Sequence, residues 1–147
     1  MDHQQFDILL IEDNASDAEM TIRALRKSNL ANRLKHVNDG DEALDFLFSE
    51  GKYKGGGLDL NIKIILLDLK MSKVSGKEVL MRIKEDDRTR KIPVVVLTSS
   101  REDVDIKECY DLGANGYVVK PVAFDEFHKA IADIGLYWLI TNEPLRV

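Results

Sequence analysis

The side chains with chemistry to offer are Glu12 and Asp13, Asp68, Thr98 and Lys120, each placed where a short apolar run breaks off. Taken singly they are bland, since an aspartate after an apolar run is most simply a helix cap or a loop acid. Gathered in one crevice they would have a definite chemistry. Three carboxylates repel one another and need a cation. Mg²⁺ suits one or two carboxylates, a carbonyl and retained waters. Mg²⁺ in turn brings phosphoryl oxygens into its shell. A lysine adds a compact second positive charge, and a threonine hydroxyl can donate to a phosphoryl oxygen. A carboxylate nucleophile such as Asp68 would then form an acyl phosphate. Phosphoryl transfer asks mainly for in-line placement and charge neutralisation, and this set supplies both.

Whether the residues meet depends on the elements that carry them. Lys63 to Lys70 reads Lys-Ile-Ile-Leu-Leu-Asp-Leu-Lys, a strand buried on both faces with Asp68 at its carboxyl end. Phe6 to Ile11 is a second such strand ending on Glu12-Asp13, Val94 to Leu97 a third ending on Thr98, and Tyr117 to Val119 a short one ending on Lys120-Pro121. Arg33 to Val37 is polar enough for a sheet edge. Between them lie helix signatures. Asn14 and Asp17, Asp39 and Glu42, and Ser75 and Glu78 have capping-box spacing. Ser100 and Asp103 mark a fourth helix start, and Gly113 suits the end of that helix. Apolar stripes follow at Ala18, Ile22 and Leu25, at Ala43, Leu44 and Leu47, and at Val79, Leu80 and Ile83. A last stripe, Phe124, Phe127, Ile131, Ile134 and Trp138, marks the final helix. Strands alternating with helices predict a doubly wound α/β fold with a parallel sheet, whose strand ends share one edge.

The remaining sequence sets bounds. A chain of 147 residues is expected to form one domain. Its net charge of −5 argues against nucleic acid or an anionic membrane as partner. No apolar run reaches the ~20 residues of a membrane helix, and residues 1–5 do not look like a signal peptide, so a cytoplasmic setting is expected. The single cysteine, Cys109, reads as a small buried thiol. His3, His36 and His128 share no ligand spacing. Gly51 to Asn61 reads as a flexible loop.

The acid pair, the strand-end aspartate, the threonine and the Lys-Pro pair, in this order and at these spacings, resemble the receiver domain of bacterial two-component response regulators over roughly Phe6 to Trp138. Glu12-Asp13 resembles the acidic pair, Asp68 the phosphoacceptor, Thr98 the switch hydroxyl and Tyr117 the switch aromatic. Lys120-Pro121 resembles a Lys-Pro pair whose peptide bond is usually cis in that family. The resemblance implies a flavodoxin-like sheet of five strands in the order 2-1-3-4-5. It implies Mg²⁺ held by Glu12, Asp13, Asp68 and the backbone carbonyl of Lys70, and a partner sensor histidine kinase as phosphoryl donor. Phosphorylation would draw in Thr98 and Lys120 and let Tyr117 turn inward, reshaping the face of the last helix. The chain would be no enzyme beyond promoting its own phosphorylation and dephosphorylation. Ser72 stands where the family often has proline, which is expected to loosen the loop after Asp68. Lys70 and Ser100 occupy positions that help set acyl-phosphate lifetime.

Two features narrow the resemblance. The glycine-rich loop is long for a receiver, and Leu136-Tyr137-Trp138-Leu139-Ile140 extends the last helix with apolar residues. Both resemble the stand-alone response regulators that partner bacterial phytochrome histidine kinases. That implies a single receiver domain over 1–147, with its core at about 6–138, a short extension at 139–147 and no output domain. A homodimer through the fourth helix, fifth strand and fifth helix is expected, with Tyr137 and Trp138 at its face and one of the two covering the core. Other readings stay open: a phosphorelay intermediate, or a stand-alone receiver unrelated to light. A phosphatase with an aspartate nucleophile usually carries a second aspartate two residues on, where this chain has Lys70. A flavin carrier needs a phosphate-binding loop after the first strand, where Glu12-Asp13-Asn14 has the wrong charge.

Overall fold

The unbroken apolar runs become the centre of a parallel sheet. In the computed structural model, which describes residues 6–30, 33–54 and 62–145, β1 (Ile8–Ile11), β3 (Ile64–Leu67) and β4 (Val94–Thr98) are buried at every position. The more polar β2 (Leu34–Val37) and the short β5 (Gly116–Val119) are half-buried edges. All pairings are parallel, in the order β2-β1-β3-β4-β5 expected from sequence.

Side-chain alternation splits the core into two layers. Leu9, Ile11, Ile65, Leu67, Val94 and Val96 face Ala43 and Leu47 of α2 (Gly40–Leu47), Val79, Leu80 and Ile83 of α3 (Gly76–Glu85), and Cys109 of α4 (Asp103–Asp111). Ile8, Leu10, Ile64, Leu66, Val95 and Leu97 face Ala18 and Leu25 of α1 (Ala15–Lys27) and Phe127 and Ile131 of α5 (Phe124–Leu136). The winding reverses between β1 and β3, which opens a crevice beyond their carboxyl ends.

The helices start and stop largely where local chemistry dictates. Asn14 Oδ1 accepts the Asp17 N–H at 2.9 Å, Asp39 Oδ1 the Glu42 N–H at 2.8 Å, and Ser75 Oγ the Glu78 N–H at 3.2 Å. Asn29 (φ 60°) follows α1 and Gly113 (φ 104°) follows α4, both left-handed. Ser100 departs from expectation: α4 begins after Glu102, which makes no side-chain cap, and the Ser100 hydroxyl serves a different bond described below. Phe124 also departs. It is 61% exposed, and its ring stacks on His128 one helical turn on instead of entering the core. A π-helical turn, Tyr137–Thr141, follows α5. Gly51–Tyr53 forms a 3₁₀ turn, and the rest of the glycine-rich stretch, 55–61, lies outside the described residues, as does His3.

Candidate functional site

The four strand ends converge as the topology requires. Asp68 follows β3 directly, and its N–H donates to the Ile11 carbonyl at 3.1 Å, which sets it beside Glu12 at the end of β1. Thr98 closes β4 and is fully buried. The Lys120 N–H donates to the Thr98 carbonyl at 2.7 Å, tying the end of β5 to the end of β4.

One carboxylate oxygen from each of Glu12, Asp13 and Asp68 lies within 4.8 Å of the other two. Glu12 and Asp68 are buried, whereas Asp13 is exposed at the mouth. Burial raises the Glu12 pKa, and the Asp68 carboxylate adds to the rise while the Lys120 ammonium opposes it. This donor set, all oxygen and short of positive charge, fits a hard divalent cation with part of its shell left to solvent. Lys70 is exposed in the loop two residues after Asp68.

The Lys120 side chain is 9% exposed, and its ammonium sits 2.6 Å from Glu12 Oε1, 2.8 Å from Asp17 Oδ2 and 3.8 Å from Asp68 Oδ2. Burial works against its charge, but the hydrogen bonds to Asp17 and Glu12 outweigh burial and raise its pKa. The expected cis bond after Lys120 is absent: every peptide bond among the described residues is trans, the intrinsically favoured form even before proline.

Ser72 links the loop after Asp68 to the acidic pair. Its backbone N–H, a donor that proline lacks, reaches Asp13 Oδ2 at 3.3 Å. Gly76 brings the start of α3 against the same loop: its N–H donates to the Leu69 carbonyl at 3.0 Å, and a Cβ there would lie 2.4 Å from the Asp68 carbonyl oxygen.

Tyr117 is already turned inward. Its ring packs against the α2–α3–α4 layer and its hydroxyl donates to the Ser100 carbonyl at 3.0 Å, so no inward swing remains to be made from this arrangement. The Ser100 hydroxyl donates to Asp105 Oδ2 at 2.5 Å, and Lys77 Nζ binds Asp105 at 2.6 Å and Glu108 at 2.7 Å. The Lys77 and Ser100 bonds hold the Asp105 carboxyl below its ordinary range. This chain of contacts joins α3, α4 and the loop after Thr98. Sequence reasoning missed it because Ser100 and Asp103 have the spacing of a cap. It also missed His36, whose Nε2 lies 2.9 Å from the Glu12 carbonyl oxygen.

Tyr137 and Trp138 divide as expected. Trp138 is half-buried against the α1–α5 layer with Tyr137 edge-on at 5.0 Å, whereas Tyr137 itself is 50% exposed. Trp138 thus covers the core, and Tyr137 is left at the surface. Cys109 is fully buried, and burial pushes its thiol up to about 11, which leaves it unreactive. No helix among the described residues is long and apolar enough to cross a membrane.

With this geometry in hand, comparison with known proteins gives a consistent result. Residues 8–132 match the family described as the response regulator receiver domain. The probable methanogenesis regulatory protein FilR2 of Methanothrix harundinacea is 41% identical over 93% of this chain and 86% of its own length. Response regulator Rcp1 of Synechocystis is 35% identical over 91% of this chain and 89% of its own. The structure of its Mn²⁺-bound form superposes with a TM-score of 0.87, covering 95% of this chain and 98% of that one. The bacteriophytochrome response regulator AtBRR is 49% identical, with a TM-score of 0.71 over 95% of this chain and 99% of that one.

Proposed function

Because this chain belongs to the response regulator receiver domain family, we propose that Asp68 accepts a phosphoryl group from the phosphohistidine of a partner sensor kinase. A carboxylate oxygen of Asp68 attacks phosphorus in line. The P–O bond forms as the P–N bond breaks, and the electron pair leaves with the imidazole, which takes a proton from water. Glu12, Asp13, Asp68 and the Lys70 carbonyl would hold Mg²⁺, which when bound neutralises charge on the transferring group. Lys120 offers an N–H to a phosphoryl oxygen and the buried Thr98 hydroxyl a second donor. One observation carries this reading: three carboxylates within 4.8 Å of one another, with a buried ammonium 3.8 Å from Asp68. The test is uptake of label from acetyl phosphate with Mg²⁺. Wild type is expected to take label, and Asp68→Asn labelling at the same rate would end the assignment.

We extend this reading to phytochrome-type light signalling. Its support is the likeness to Rcp1 and AtBRR along nearly the whole chain, together with the apolar segment that follows α5. A second reading, a receiver serving a kinase unrelated to light, has its own support in the likeness to FilR2. Phosphotransfer from a purified phytochrome kinase, compared with kinases of other input, separates them.

The output surface on this reading is the face of α4, β5 and α5, used for homodimerisation. Val104 and Tyr110 on α4, Phe124 and Leu136 on α5, and Tyr137 just beyond it are each at least half exposed, apolar side chains on two of the elements that would form this face. A monomer by light scattering, with and without beryllofluoride, would refute this. The acidic balance of the chain supports output by protein contact and not by nucleic acid.

A further inference from the structure

Asp17 stands outside every motif of the site, yet its carboxylate is part of it. Sequence spacing assigns it the reciprocal half of a capping box with Asn14, but only its backbone N–H takes part in that cap. The N–H of Asn14, which a box partner would satisfy, donates to Glu12 Oε2 at 3.3 Å. The Asp17 carboxylate instead accepts from Lys120 Nζ at 2.8 Å, a residue 103 positions away. It is 27% exposed and Lys120 only 9%, so this is a partly desolvated, charge-assisted bond.

The ammonium has three N–H donors. Glu12 and Asp17 take two, at 2.6 and 2.8 Å, and the 3.8 Å to Asp68 is too long for a hydrogen bond. Lys120 is therefore held by Glu12 at the end of β1 and by Asp17 of α1, short of hydrogen-bond reach of Asp68. A phosphoryl group on Asp68 would add negative charge within reach of the same ammonium and compete with Asp17 for it.

We infer that Asp17 is a positioning residue that competes with the phosphoryl group for Lys120, and so sets how strongly this receiver holds its phosphorylated state. The inference rests on the reading of Asp68 as phosphoacceptor. It predicts that Asp17→Asn, which keeps the backbone cap and removes the competing charge, shifts the balance toward the phosphoryl side.

The experiment measures binding of beryllofluoride with Mg²⁺, by calorimetry and by fluorine NMR of the bound ligand, in a double-mutant cycle. Asp17→Asn is expected to bind about twofold to fivefold tighter than wild type, the range expected for weakening one partly exposed ion pair. Asp17→Glu, which retains the charge, is expected to bind more nearly like wild type. In a Lys120→Met background the Asp17→Asn gain is expected to vanish. Unchanged or weaker binding by Asp17→Asn overturns the inference. So does an equal gain without Lys120, which would mean a general charge effect. In metal-free protein the Lys120 ammonium proton signal, sharp while hydrogen-bonded, should broaden in Asp17→Asn; persistence of the sharp signal also counts against the inference. If wild type binds no beryllofluoride, or Asp68→Asn binds it equally, the phosphoacceptor reading falls and this one with it. A wild type that binds alongside an unresponsive Asp17→Asn removes this inference alone.

Discussion

Gly76→Ala is expected to disturb the loop after Asp68 from outside it. Gly76 opens α3, where alanine should gain up to about 1 kcal/mol from helix propensity alone. The packing reverses that sign. A Cβ at this position would lie 2.4 Å from the Asp68 carbonyl oxygen, 2.5 Å from Leu69 Cα and 3.1 Å from the Asp68 carbonyl carbon. Comfortable carbon–oxygen and carbon–carbon contacts begin at about 3.3–3.5 Å, so the overlap approaches 1 Å. All three atoms are backbone, and the loop that carries them is tied down by the Asp68 N–H to Ile11 and the Gly76 N–H to Leu69. No side-chain rotation can relieve the clash. Overpacking of this kind costs about 1–3 kcal/mol, and the rigid surroundings place this case at the upper end. In a chain of this size about 3 kcal/mol corresponds to a fall of about 6–12 °C in Tm. The assay is urea and thermal unfolding followed by circular dichroism, with acetyl-phosphate labelling rates measured on protein that remains folded. Labelling should fall as well, since the relief available is movement of Asp68. A variant as stable as wild type, or more stable through propensity, would refute the reasoning.

Further outcomes follow from the same structure. Burial alone would raise the Glu42 pKa, but the Asn38 N–H, the Lys52 ammonium and the Tyr53 hydroxyl together lower it from 4.5 to about 2. A depressed carboxylate stabilises the fold above its unfolded pKa and loses that contribution as pH falls through the folded value. Glu42→Gln should therefore cost about 1–2 kcal/mol near neutrality, with the gap to wild type closing as pH falls from about 4.5 toward 2; a pH-independent gap in urea midpoints would contradict this. Lys77→Met should release Asp105 and loosen Ser100, shifting the amide and ring signals of the loop after Thr98 and of Tyr117 in NMR spectra. Unchanged Tyr117 signals would mean the inward ring does not depend on that chain of contacts. Added Mg²⁺ should raise Tm by relieving repulsion among Glu12, Asp13 and Asp68, and Asp13→Asn should lose most of the rise. An equal rise in both proteins would place the cation elsewhere.

Much of the fold was legible because its determinants are local. The runs Ile8 to Ile11 and Ile64 to Leu67 can bury both faces only inside a parallel sheet, and the side-chain caps at Asn14, Asp39 and Ser75 fall on the expected residues. The site was legible because strand ends in such a sheet share one edge. Misreadings arose where a local explanation was sufficient but a distant partner prevailed. Asp17 has the spacing of a capping acid, and its contact with Lys120 is visible only once the parallel sheet brings the residue after β5 and the first turn of α1 to one edge. Ser100 has the spacing of a cap, yet Asp105, itself held by Lys77 from α3, takes its hydroxyl. The same holds for Ser72, whose N–H matters through Asp13, 59 residues earlier. Phe124 fits the apolar period of α5, but periodicity cannot tell that its turn lies beyond the core.

The claim that Asp68 is the phosphoacceptor is tested most directly by locating the phosphoryl group. Protein treated with acetyl phosphate and Mg²⁺ is reduced with borohydride, which converts an aspartyl phosphate to homoserine, and then mapped by mass spectrometry. Homoserine is expected at position 68, in wild type only. Homoserine at position 13, or none in protein shown to carry label, would contradict it.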